Sequence, residues 1–185
     1  MAINWRFIAG LEGGQLLTGY VPEPEKSRSG VTCGTGIDLG QMTEAQIQAL
    51  DIPEALKQKL SPYAGKIKAE AVEYLDTHPL TITEEEAEAL DSAVKGREVQ
   101  TLVARYDGAI TAGAAKFDAL PVEAQTVIAS VAFQYGTSLD KRTPKFWAAV
   151  TQQNWKSAVD ILKNFGDHYS KRRNQEAALL EKILG

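Results

Sequence analysis

Glu12, Thr32 and Asp38 are the side chains whose types and placement suit hydrolysis of a polar single bond. Glu12 closes a segment in which Ile3, Phe7, Ile8 and Leu11 recur at helical spacing, and Gly13-Gly14 stop the helix behind it. Thr32 and Asp38 lie within Gly30-Val31-Thr32-Cys33-Gly34-Thr35-Gly36-Ile37-Asp38-Leu39-Gly40. Four glycines in these eleven residues predict a tight hairpin whose backbone comes close to something. A carboxyl at a helix end, facing a Gly-rich hairpin with a second carboxyl, is the arrangement that glycoside hydrolysis requires. One of the pair must keep its proton near neutral pH, which calls for a partly apolar pocket. Glu12 is the candidate acid, with Leu11, Tyr20 and the apolar helix after Pro121 as candidate walls. The alternative, a surface Glu closing a helix, opposes the helix dipole at a small cost. Asp38 is the candidate partner, set against a turn-capping Asp beside Gly40. Thr32 offers a hydroxyl that donates and accepts and so could hold the attacking water; the alternative is a β-branched strand residue.

The elements that must position these groups are mostly helical. A helix over 3–11 is followed by a loop and the hairpin over 15–40. Thr43 with Gln46 forms a capping box for residues 44–50. Ser61-Pro62 predicts a helix running to about Asp76, broken by His78-Pro79. Thr83 with Glu86 opens another, which carries Leu90, Val94, Leu102 and Tyr106, with Gly96 as a break point; Glu84, Glu85 and Glu86 suit its positive N-terminus. Residues 108–116 read as a connector. Pro121 opens the most apolar helix, in which Val122, Ala124, Val127, Ile128, Val131, Ala132 and Phe133 cover most faces, as expected of a central one. Pro144 and Asn154 open two more, and residues 168–184 predict a basic amphipathic last helix. The expectation is an α+β, mainly helical chain: one domain over 1–185, with a small hairpin lobe at about 13–41 and a helical lobe formed by 42–185 and the first helix.

Composition narrows the function classes. The hydrophobic fraction of 44% and charged fraction of 24% over 185 residues are those of an ordinary globular chain with a sizeable core. A single cysteine excludes an internal disulfide, and Cys33 is expected as a small buried apolar residue. With only His78 and His168 besides, no zinc set is expected, and neither metal nor organic cofactor is called for. A net charge of −4 argues against nucleic-acid binding. Residues 1–138 hold 11 Lys/Arg against 19 Asp/Glu, and residues 139–185 hold 9 against 5. That basic end is either a set of solvated faces or a contact for an anionic polymer or surface. No run approaches 18 apolar residues, so no stable membrane insertion is expected. The first residues do not make a secretory signal, which predicts a protein that stays in the cytosol unless something releases it. Trp5, Trp147 and Trp155 fit apolar helix faces and are expected in the core rather than as sugar platforms.

The residues also carry a resemblance. Glu12-Gly13, Tyr20 and the Gly-x-Thr-x-Gly-x-Gly of residues 30–36 resemble the catalytic region of phage-type lysozymes. Tyr20-Val21-Pro22 and Ser29 through Gln41 are closer still to the pesticin-like muramidases of bacteriocins and to prophage endolysins of Gram-negative bacteria. Ala132-Phe133-Gln134-Tyr135-Gly136 resembles the end of the family's central helix, and Phe146-Trp147, Trp155 and Ala158 resemble the helices after it. The likeness is strong over 7–41 and moderate over 117–180; residues 42–116 do not align. It implies a lysozyme-like fold, a hairpin lobe and a helical lobe with a cleft between them. It also implies cleavage of the β-1,4 bond between N-acetylmuramic acid and N-acetylglucosamine in bacterial peptidoglycan, by an inverting route. Glu12 would be the general acid, with Asp38 and Thr32 acting on the water. Gln134 would bind a sugar hydroxyl or amide, with a solvent-facing Gln as the alternative. Arg172 or Arg173 would bring a guanidinium near Glu12, with a solvated basic face as the alternative for at least one. The commoner family pattern has an Asp soon after the tyrosine, where this chain reads Val21-Pro22-Glu23; pesticin-like sequences carry it after the Gly-x-Gly, as here. Glu23 and Glu25 remain the alternatives to Asp38. The expectation is a monomeric endolysin, against an inert wall-binding module or a helical protein whose basic C-terminal helix acts on membranes.

Overall fold

The computed structural model describes residues 2–25 and 27–185. Helix α1 (Trp5–Leu11) precedes a three-stranded antiparallel sheet of β1 (Leu16–Tyr20), β2 (Thr32–Gly34) and β3 (Ile37–Asp38), in the order β1-β2-β3. The helices α2 (Glu44–Gln48), α3 (Glu54–Leu60), α4 (Lys68–Thr77), α5 (Glu84–Ala109) and α6 (Val122–Tyr135) follow. The chain ends with α7 (Leu139–Arg142), α8 (Pro144–Thr151), α9 (Trp155–Lys163) and α10 (Ser170–Glu181). The architecture is α+β and mainly helical, as the patterning predicts.

Local chemistry accounts for most boundaries. In the Thr43 box the hydroxyl accepts from the Gln46 N–H at 3.2 Å, and the Gln46 side chain accepts from the Thr43 N–H at 2.8 Å. Thr83 and Glu86 repeat the exchange at the start of α5. The Asn154 side chain caps α9 by accepting from the Ser157 N–H.

Two stretches depart from expectation. Residues 61–63 form only a 3-10 turn, α3 lies before it, and α4 begins at Lys68 instead of continuing from Pro62. Tertiary pairing wins over the proline signal here. Ile67 bridges to Gly30, and the Lys68 N–H donates to the Ser29 carbonyl at 2.9 Å, which holds this stretch extended. Gly96 does not break its helix either, because α5 runs through it from Glu84 to Ala109.

The chain divides into two compact units, residues 9–96 and residues 1–8 with 97–185. In the first, Val31, Cys33 and Leu39 of the hairpin share a core with Ile47, Leu60 and Leu90. Residues 42–96 therefore pack with the hairpin, and the division falls at 96 and not near 41. The close approach forecast by the glycines is also here. A Cβ on Gly30 would run into the Lys66 carbonyl and lie 2.5 Å from the Gly40 Cα.

In the second unit, α6 is buried from Ala124 to Ala132, the central helix that its composition predicts. Trp5 stacks on Phe133 at 5.7 Å and Trp147 meets Tyr106 edge-on at 6.1 Å, so both belong to the core periphery. Helix α10 is not a solvated basic face, since Arg172 and Arg173 are both buried. Their charges are met by Glu176, itself fully buried, on the same helix.

Gly96→Ala should raise stability by about 0.5–1 kcal/mol, because a Cβ there meets nothing within 4 Å and α5 is continuous. Gly30→Ala should destabilise by about 1–3 kcal/mol or more through overpacking against backbone. Urea midpoints of the two variants beside wild type check both signs.

Candidate active site

Glu12 sits in the cap of α1. Gly13 and Gly14 take φ of 105° and 98°, and the Gly14 N–H turns back to the Ala9 carbonyl at 2.8 Å. This terminates the helix by a glycine C-cap and fixes where the Glu12 side chain leaves the backbone. That side chain is 24% exposed, and its Oε2 accepts from the Lys95 Nζ at 3.1 Å.

Thr32 and Asp38 are cross-strand partners in the β2–β3 pairing, and Tyr20 of β1 lies opposite Thr32 on the other side. Paired residues in antiparallel strands project to one face, so the three side chains form a row across the sheet. Both candidates are fastened to Gly30. Its N–H donates to Asp38 Oδ1 at 3.0 Å and Oδ2 at 3.2 Å, and its carbonyl accepts from the Thr32 hydroxyl at 3.2 Å. Asp38 Oδ1 also accepts from the Gly40 N–H at 2.9 Å. The turn-capping job foreseen as the alternative for Asp38 is therefore present, and it fixes the carboxylate's direction. Glu23 and Glu25 are exposed in the loop between β1 and β2, outside this row.

Sequence reasoning missed Lys95 and Asp91, both on α5. Asp91 is fully buried. It accepts from the Thr35 hydroxyl at 2.5 Å, the Thr35 N–H at 3.2 Å and the Gln15 Nε2 at 3.3 Å. The available signal was its position. Ala87, Leu90 and Val94 mark an apolar stripe, and Asp91 stands on it where a hydrophobe is expected. Lys95 follows four residues later, so the anchor of the hairpin tip and the partner of Glu12 are about 6 Å apart along one helix.

Cys33 lies fully buried beneath the hairpin. Burial, reinforced by the Asp91 charge, pushes its thiol up to about 12, which removes it as a nucleophile. Among the described residues no three His, Cys, Asp or Glu side chains cluster to hold a metal. No described helix is long and apolar enough to cross a membrane.

Gln134 belongs to the other unit, at the end of α6. Its side-chain carbonyl accepts from the Arg173 guanidinium, so this oxygen is engaged within the protein. Arg173 also donates to Glu176 and, at 2.9 Å, to Asp167, and it lies over the Phe165 ring at 4.6 Å. Arg172 reaches Glu176 at 3.2 Å and the Ser130 hydroxyl at 3.0 Å. Burial on its own would raise the Asp167 carboxyl. Hydrogen bonds from the Tyr135 hydroxyl, Arg173 and the Tyr169 N–H outweigh it and hold the group below the usual Asp value.

The hairpin carries a hydroxyl and a carboxylate in one cross-strand row, in a chain that is mainly helical with one small antiparallel sheet. The chain belongs to the pesticin family: residues 2–156 match the family model described as "Pesticin: Bacterial toxin homologue of phage lysozyme, C-term". None of the curated proteins compared with it matches the chain. Membership makes the fold lysozyme-like and the general activity that of a peptidoglycan-hydrolysing muramidase.

Because the Asp167 carboxyl is held low in the folded state, its contribution is present above the unfolded value near 4 and is lost as pH falls through the folded one. Asp167→Asn should therefore lower stability at pH 7 by about 1–3 kcal/mol. The gap to wild type should close as pH falls through the lowered folded value of Asp167. Thermal melts across pH 2–7 measure it.

Proposed function

We propose that this chain hydrolyses the β-1,4 bond between N-acetylmuramic acid and N-acetylglucosamine, as a monomeric endolysin released from a bacterial cytosol. The observation that carries the reading is the α5 turn that holds Glu12 through Lys95 and the hairpin through Asp91. It supports a working arrangement in which an acid and a water-handling pair are held from one rigid element. No metal or organic cofactor enters the mechanism.

Glu12 protonates the leaving glycosidic oxygen, as general acid. The water approaches the anomeric carbon from the Thr32–Asp38 row. Asp38 Oδ1 is taken by two backbone N–H groups, whereas among the described residues Oδ2 accepts only from the Gly30 N–H, at 3.2 Å, and is the oxygen with capacity for the water's proton. The Thr32 hydroxyl spends its proton on the Gly30 carbonyl, which leaves lone pairs to receive the second O–H of the same water. Gln134, with its carbonyl occupied by Arg173, offers its amide N–H groups to a sugar hydroxyl or acetamide oxygen.

Glu12→Gln removes the transferable proton and the charge that faces Lys95, but keeps an oxygen for the Lys95 Nζ, so it should cut peptidoglycan hydrolysis by about 10²–10⁴-fold while the chain still folds. Asp38→Asn retains an oxygen for the Gly30 and Gly40 N–H groups, so it should fold, yet lose far more activity than Glu23→Gln or Glu25→Gln. Turbidity clearing by the four variants ranks them; a dead Glu23→Gln beside an active Asp38→Asn would move the partner to the loop.

A water held between Thr32 and Asp38 attacks from the face opposite the acid, which inverts the anomeric centre. Proton NMR of a freshly cleaved peptidoglycan fragment should show the α-anomer first. An initial β-anomer, or a glycosyl-enzyme trapped on Asp38, would make Asp38 a nucleophile.

A further inference from the structure

We propose that Asp91 is a positioning residue for glycosidic cleavage, a buried bracket that holds the tip of the catalytic hairpin in register with Lys95 and hence with Glu12. The inference rests on the muramidase reading. Asp91 is fully buried, yet among the described residues it takes part in no ion pair; its recorded donors are neutral, two from Thr35 and one from Gln15. Taking a carboxylate out of water costs several kcal/mol, and neutral hydrogen bonds return only part of it. An apolar side chain on the Ala87–Leu90 stripe would serve packing alone at lower cost. The Asp91 oxygens have a mechanical use instead, as acceptors for the hairpin tip.

Thr35 lies three residues from Thr32 and three from Asp38, at the midpoint of the β2–β3 turn. Its neighbours Gly34 and Gly36 have φ of 58° and 82°, so the tip is built from the two residues least able to hold a conformation by themselves. The same absence of a side chain admits Asp91, since a Cβ on Gly34 would stand 3.2 Å from its Oδ1. At the other end of the hairpin, Asp38 gathers the Gly30 and Gly40 N–H groups. The base is thus clamped from within and the tip from α5. Gln15, between the α1 cap and β1, is drawn to the same carboxylate, which ties the segment leaving Glu12 to the hairpin as well. Catalysis is sensitive to such distances, a displacement of about 1 Å costing on the order of 10²-fold.

The test measures kcat and KM on soluble peptidoglycan fragments for wild type, Glu12→Gln, Asp91→Ala, Asp91→Asn and Thr35→Val, at a temperature where all are folded by circular dichroism. Amide hydrogen exchange over 32–38 is followed in parallel. Asp91→Ala should lower kcat by roughly 30–100-fold with KM within about threefold, and exchange over 32–38 should accelerate. Asp91→Asn should restore most of kcat, because its amide oxygen accepts both Thr35 donors and Gln15 can turn its own amide. Thr35→Val, which loses only the hydroxyl donor, should fall roughly tenfold. Asp91→Ala and Thr35→Val variants that melt earlier but keep wild-type kcat and hairpin protection would overturn the inference and leave the muramidase reading standing. A wild type that does not cleave the fragments, no better than Glu12→Gln, would overturn that reading and the catalytic role of Asp91 together.

Discussion

The contact between the Gly30 and Gly40 backbones beneath the Lys66 carbonyl is the constraint from which the hairpin's chemistry follows. No side chain fits there, and the space saved lets Asp38 reach two main-chain N–H groups at once. Asp38 is then committed to one direction, and its cross-strand partner Thr32 to the same face. The bridge from Gly30 to Ile67 extends the constraint outward and sets where α4 begins. A loop of small residues has in this way become as determinate as a core.

The two units settle their polar interiors differently. In the helical unit, Arg172 and Arg173 both face Glu176, and Ser130, Gln134 and Asp167 accept further guanidinium N–H groups. Opposite charges meet there, so burial costs less than it would for either ion alone. The unit with the hairpin instead buries Asp91 against hydroxyl, amide and peptide donors. Such an interaction is directional and has no long-range Coulomb attraction to fall back on, so it rewards one hairpin position above its neighbours.

What the chain discloses to a reader of its letters is what is decided within a few residues. The capping boxes at Thr43 and Thr83, the cap at Asn154, the proline before α6 and the glycine stop after Glu12 all act locally, and each is found. The hairpin was legible for the same reason. Lys95 and Asp91 were not, because their partners lie 83 and 56 residues away. The inward turn of Arg172 and Arg173 was also hidden, since it depends on Glu176 and on a central helix far back in the chain. Ser61-Pro62 misled because a strand-like pairing with Ser29 and Gly30, invisible to any local rule, claims the residues that a helix would need.

Cys33 gives the fold a property of its own. It is the single sulfhydryl of the chain, walled in under the hairpin and kept protonated by its surroundings. It has no intramolecular mate to oxidise with, and burial keeps both peroxide and glutathione from a thiolate that scarcely forms. The architecture is therefore neutral to redox poise. A reducing medium and an oxidising one leave the fold the same, with no internal disulfide to make or break between them.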